Sequence, residues 1–220
     1  MTKTEIDFDI DGTLYDKNRH SKHGFQAFEN RLREEKIYVA EEKFGWLPRF
    51  YNYNLEETRK RSQKEYDNIL LEISVDAQKK IPKSLYMKGG EKLNKMLKKL
   101  DKNYNLNIVS NASQKHILDV LAALGVNPKM FKFILAYETS RQHKPSVDIF
   151  REAIRISRAP PNKHVFVGDD YRCDIVPANE VGMTTIWTWQ KAPERDVDRK
   201  PEVGWYAPTI YDVPLIIRKL

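Results

Sequence analysis

Asp9 and Asp11 stand two residues apart in Asp7-Phe8-Asp9-Ile10-Asp11-Gly12-Thr13-Leu14-Tyr15-Asp16, after a strand-like run and before a Gly-Thr turn. Carboxylates at that spacing, leaving the end of a strand, meet over the carboxyl edge of a sheet, where open α/β folds place their ligands. An Asp there can serve as nucleophile, and its neighbour as general acid. Taken alone, the motif also fits a surface turn or a calcium loop.

Three further blocks follow in order. An apolar run ends in Ser110-Asn111, a lysine lies in His143-Lys144-Pro145, and Val165-Phe166-Val167-Gly168-Asp169-Asp170 is followed by Asp174. Together, over roughly residues 5 to 190, these blocks resemble the haloacid dehalogenase-like superfamily of aspartyl-phosphate-forming hydrolases, in the branch with a helical cap inserted after the first motif.

The resemblance implies a division of labour. Asp9 attacks phosphorus, and Asp11 protonates the leaving oxygen and then activates water. Gly12 and Thr13 hold phosphoryl oxygens, with the glycine letting the main chain approach closely. Ser110 donates to a phosphoryl oxygen, Asn111 lies beside it in the substrate site, and Lys144 stabilises nucleophile and phosphoryl group. For a serine opening a helix the plain alternative is an N-cap, and for a lysine before proline a solvated side chain.

Implied metal ligands are Asp9 and Asp169 through their side chains, Asp11 through its main-chain carbonyl, and Asp174 directly, through water or by orienting Lys144. Hard oxygen donors that keep waters and bridge to phosphate describe Mg²⁺. Carboxylates packed this closely repel one another without a cation. Asp170 is left between a supporting role and a helix cap. Cys173, the single cysteine, reads as a small buried filler.

The elements that must position these residues alternate after residue 85. Helices are expected near 89–101, 114–124, 146–157 and 174–181, with strands at 106–109, 133–136, 164–167 and 184–189. Gly125 and Gly182 fall where helix C-caps belong. Such alternation implies crossover units and a Rossmann-like parallel sheet with helices on both faces. The expected α/β core covers 1–15 and 86–220.

Residues 16–85 break the rhythm with Glu-, Lys- and Arg-rich helical stretches around an aromatic cluster at 44–53. They are expected to form a small α-helical cap. Trp46, Arg49 and Tyr53 are candidates to face the substrate's leaving group. The alternative is that the cluster is simply the cap's own core.

With 40% hydrophobic residues in 220, the chain can bury one good core and a satellite. No apolar run suits a membrane span or a signal peptide, and one cysteine agrees with a reducing compartment, so the expected location is the cytoplasm. The net charge of +7 invites a nucleic-acid reading. Its distribution argues otherwise: Lys88, Lys92, Lys95, Lys99 and Lys102 oppose Leu93, Met96, Leu97 and Leu100, as on a helix with one solvated basic face.

The expected activity is therefore Mg²⁺-dependent hydrolysis of a small phosphorylated metabolite by a monomer or homodimer. Asp11 favours this over 2-haloacid dehalogenation, since departing halide needs no proton. A phosphomutase passing the phosphoryl group to a sugar, and a non-catalytic basic nucleic-acid-binding protein, are the remaining alternatives.

Two residues depart from the family pattern. Asp7 occupies an ordinarily apolar strand, where it needs a partner or solvent. Pro177 stands where many relatives carry glycine, and is expected to kink the start of its helix.

Overall fold

A computed structural model describes residues 3–16, 90–140, 142–188 and 204–220. By contact the chain divides into two units, Met1–Lys17 with Met87–Leu220, and Asn18–Tyr86. The second lies outside the described residues. So do the expected cap helices and Trp46, Arg49 and Tyr53.

The first unit is built on a six-stranded sheet in the order β3-β2-β1-β4-β5-β6, with every neighbouring pair parallel. The strands are β1 (Glu5–Phe8), β2 (Asn105–Val109), β3 (Phe131–Leu135), β4 (His164–Gly168), β5 (Thr184–Thr188) and β6 (Trp205–Ala207). The chain moves outward from β1 to β3, then returns to β4 on the other side. That reversal opens a crevice at the carboxyl ends of the central strands.

The helices follow the expected alternation: α1 (Gly90–Asp101), α2 (Gln114–Ala123), the short α3 (Tyr137–Ser140), α4 (Val147–Ser157), α5 (Val176–Glu180) and α6 (Val213–Ile217). On α1, Leu93, Met96, Leu97 and Leu100 are buried while Lys92, Lys95, Lys98 and Lys99 face solvent, so the basic stripe is a solvated face. Ser146 caps α4 by accepting from the Asp148 amide, and Ile149, Phe150 and Ala153 press onto Val109, Leu135 and Phe166 of the sheet. Phe150 meets Phe166 edge-on at 4.9 Å. Burying each such side chain stabilises the fold by about 1.5–3 kcal/mol. This packing fixes the helix that begins just after Lys144.

Several boundaries differ from expectation. β3 starts at Phe131 rather than 133, because Asn127 caps a single 3₁₀ turn, Pro128–Met130, that feeds directly into the strand. The helix expected at 174–181 is preceded by one wide π-turn, Tyr171–Ile175, and α5 proper begins at Val176. Pro177 therefore sits in the first turn of α5, where its missing N–H removes no helical hydrogen bond. Gly125 and Gly182 do take the left-handed conformation after their helices, with φ of 66° and 84°. Arg158 does the same after α4 without being glycine.

Asp7 is fully buried and finds partners. Its Oδ2 lies 2.7 Å from His164 Nδ1, and its Oδ1 accepts from Asn107 Nδ2 at 3.0 Å. His164 Nε2 in turn lies 2.8 Å from Ser157 Oγ. Asn107 also donates to Glu5 at 3.0 Å. Because side chains alternate along a strand, Glu5, Asp7 and Asp9 share one face of the chain at β1 and Ile6, Phe8 and Ile10 the other. One face of the central strand thus carries a buried polar ladder that replaces the expected apolar packing.

Candidate active site

Asp9 follows β1 directly and stays in register with the sheet, its amide donating to the Val167 carbonyl at 2.9 Å. Lys144 arrives from the segment between α3 and α4. Its Nζ donates to Asp9 Oδ1 at 2.7 Å and to Asp174 Oδ1 at 2.6 Å, and all three residues are buried. Asp174, inside the wide π-turn, is held from behind by the Asp170 amide, which donates to its Oδ2 at 3.0 Å.

Asp169 is half-buried beside them, and Asp9, Asp169 and Asp174 each offer an oxygen within 4.8 Å of the others. Trp187 Nε1 donates to the Asp169 carbonyl at 2.8 Å and Thr188 Oγ1 to that of Gly168 at 3.2 Å, so β5 pins the turn that carries them. Gly168 is required by the packing: a Cβ there would lie 2.3 Å from Asp174 Oδ2. Gly12 has φ of 93°, and a Cβ on it would come within 2.4 Å of Asp169 Oδ2. Its lack of a side chain thus makes room for a carboxylate of the cluster.

The electrostatics follow from one ammonium facing three carboxylates. Burial by itself would lower the Lys144 pKa. Attraction to Asp174 and then Asp9, with hydrogen bonds to both, outweighs it and holds the lysine above its ordinary range. Asp174 is pushed up to about 7: burial raises it most, Lys144 pulls it back, and the charge of Asp9 raises it again. The lysine moves upward by attraction to the carboxylates, and Asp174 moves upward chiefly by burial. A divalent cation is the charge this oxygen donor set lacks, and the residues present fit one.

Asp11 lies on the other side of the turn, half-buried. Tyr15 O–H donates to its Oδ1 at 2.5 Å, and His116 Nε2, from the first turn of α2, lies 3.0 Å from the same oxygen. Thr13 is buried, and its Oγ1 has no hydrogen-bond partner among the described residues.

Ser110 is buried at the end of β2, its amide donating to the Leu135 carbonyl at 2.9 Å and its Oγ accepting from the Ala112 amide at 3.2 Å. It is not the helix cap, because Ser113 caps α2 by accepting from the His116 amide. Asn111 binds the backbone of Lys144 through both ends of its amide. Asp170 is exposed and accepts from the Arg172 and Cys173 amides, a turn-capping job. Cys173 is half-buried rather than buried. Burial, with the Asp170 and Asp174 carboxylates, raises its thiol pKa and keeps it protonated.

The sheet thus brings Asp9, Lys144, Asp169 and Asp174 together, although they come from three separate loops. Tyr15, His116 and Trp187 were missed by sequence reasoning. Only Tyr15 lay near a motif, four residues after Asp11, and aromatic residues at that spacing are common in cores.

The fold is an α/β parallel sheet, and the carboxylate cluster lies at the carboxyl ends of its central strands. The family model of the haloacid dehalogenase-like hydrolases matches residues 6–188, and the chain belongs to that family. It is 23% identical over 214 residues to a glyceraldehyde 3-phosphate phosphatase of Methanothermobacter thermautotrophicus, covering 94% of each chain. It is 25% identical over 229 residues to one of Pyrococcus furiosus, covering 98% of this chain and 92% of that one. A haloacid dehalogenase-like hydrolase from Streptococcus pneumoniae shares the fold, with a TM-score of 0.70 at 19% identity over 98% of this chain and 99% of that one. Among the described residues no helix is long and apolar enough to cross a membrane.

Proposed function

We propose that the protein is a Mg²⁺-dependent phosphomonoesterase that works through an aspartyl-phosphate on Asp9. The observation that carries this reading is the buried Lys144 ammonium shared by the Asp9 and Asp174 carboxylates, with Asp11 two residues after Asp9. Phosphoryl transfer asks a protein mainly to position groups and to neutralise charge on the equatorial oxygens.

In the first half-reaction Asp9 attacks phosphorus, the bond to the leaving oxygen breaks, and Asp11 gives that oxygen its proton. In the second, Asp11 takes a proton from water as the water displaces Asp9. Thr13 Oγ1, the amides near Gly12 and the hydroxyl proton of Ser110 donate to phosphoryl oxygens. Lys144 balances charge on Asp9 and the phosphoryl group, and Asn111 keeps the lysine backbone in place. Asp9, Asp169 and Asp174, with the Asp11 carbonyl, would hold Mg²⁺, which when bound offsets carboxylate and phosphate charge.

The substrate is a small phosphorylated metabolite. The two relatives named as glyceraldehyde 3-phosphate phosphatases make short phosphorylated aldehydes and polyols the first class to screen. Phosphate release from p-nitrophenyl phosphate and glyceraldehyde 3-phosphate, with Mg²⁺, with EDTA and with Asp9→Asn, tests the reading. Turnover that needs both Mg²⁺ and Asp9 is expected. Turnover that survives Asp9→Asn would overturn it.

A further inference from the structure

We propose that His116 and Tyr15 form a clamp that orients the Asp11 carboxyl for proton transfer to the leaving oxygen. This rests on the reading of Asp11 as general acid. Tyr15 O–H donates to Asp11 Oδ1 at 2.5 Å and His116 Nε2 lies 3.0 Å from the same atom. Two contacts on one oxygen fix the rotation of the carboxyl group.

Both clamp residues are themselves anchored. Asp11 and Tyr15 are joined by a backbone bridge, and Tyr15 is buried. His116 stands in the first turn of α2, where its amide donates to the capping Ser113 hydroxyl at 3.2 Å, and the next residue, Ile117, is fully buried. The imidazole is presented by a rigid helix terminus, as orienting a carboxyl within reach of a reacting oxygen requires.

The clamp acts in both half-reactions. As the phosphorus–oxygen bond of the ester breaks, the Asp11 proton passes to the leaving oxygen and Asp11 becomes a carboxylate. The tyrosine O–H then donates to the new anion at Oδ1, with His116 beside the same oxygen, and Asp11 recovers a proton from the attacking water. His116 and Tyr15 are positioning residues and touch no reacting atom.

The test measures kcat/KM for substituted phenyl phosphates, from p-nitrophenyl to phenyl. This constant reports events up to leaving-group departure, and poorer leaving groups depend more on a proton donor. Wild type, His116→Ala, His116→Gln and Tyr15→Phe are compared with Mg²⁺, their folding checked by thermal melting. His116→Ala is expected to lose about tenfold more on phenyl than on p-nitrophenyl phosphate, steepening the leaving-group dependence. Tyr15→Phe should steepen it as well. His116→Gln, whose amide nitrogen can donate to the same oxygen, should return most of the loss.

Equal losses across the series in His116→Ala and Tyr15→Phe, or no loss in either, would overturn the clamp while leaving the phosphatase reading intact. Absence of wild-type turnover on every ester would overturn that reading and the clamp with it. Should His116→Ala fail to fold, Tyr15→Phe and His116→Gln carry the same comparison.

Discussion

Asn111 grips the backbone of Lys144 at both ends: its Oδ1 accepts from the lysine amide at 2.8 Å and its Nδ2 donates to the lysine carbonyl at 2.8 Å. These residues lie 33 apart in sequence, one after β2 and the other beyond β3. The lysine that spans Asp9 and Asp174 is therefore aimed from its main chain as well as held at its tip.

Asn111→Ala should lower kcat by roughly tenfold with a smaller effect on KM, because it loosens a charge that acts in the transition state. Steady-state kinetics on p-nitrophenyl phosphate checks this. A rise in KM at unchanged kcat would instead assign Asn111 to substrate binding alone.

The four motif blocks were legible because each is local: three are a strand with a polar residue after its carboxyl end, and the fourth is the lysine just before α4. The sheet order turned that repeated pattern into one site, as parallel topology requires. The clamps were not legible. His116 and Asp11 are 105 residues apart and His164 and Asp7 are 157 apart, so no helical or strand period relates them. The wide turn at Tyr171–Ile175 escaped for another reason. It depends on Asp170 capping two amides and on Asp174 turning inward to Lys144, a tertiary contact that overrides helix propensity.

Asp7→Ala should destabilise the protein by about 3 kcal/mol, since it leaves the buried His164 without the carboxylate it faces and removes one of the two acceptors of Asn107. Urea unfolding measures this. A change below about 0.5 kcal/mol, typical of exposed sites, would show that the ladder contributes little.

Without metal, stability should fall as pH rises from about 4 to 7. The Asp174 carboxyl has an ordinary value of 3.8 and is pushed up to about 7 in the fold. Across that window the folded chain binds the extra proton, so raising the pH favours the unfolded state. The full shift corresponds to at most roughly 4 kcal/mol. Thermal midpoints in EDTA should decline over this range, and Asp174→Asn should flatten the decline. Mg²⁺ should flatten it too, by favouring the ionised carboxylate and by binding the native state. A midpoint that rises with pH would contradict the assignment.

Gly168→Ala should abolish most activity and destabilise the protein, because its Cβ would lie 2.3 Å from Asp174 Oδ2 and force that carboxylate off Lys144. A loss of more than tenfold in kcat/KM is expected. Near-wild-type kinetics would mean that the turn relaxes without moving Asp174.

The central claim is that Asp9 carries the phosphoryl group. Rapid acid quenching of enzyme mixed with p-nitrophenyl phosphate and Mg²⁺, followed by peptide mass analysis, addresses it most directly. The account predicts the mass of one phosphoryl group on the peptide containing Asp9, absent in Asp9→Asn and absent in EDTA. Turnover with Mg²⁺ that never labels this peptide, or a phosphoryl group found on another residue, would contradict it.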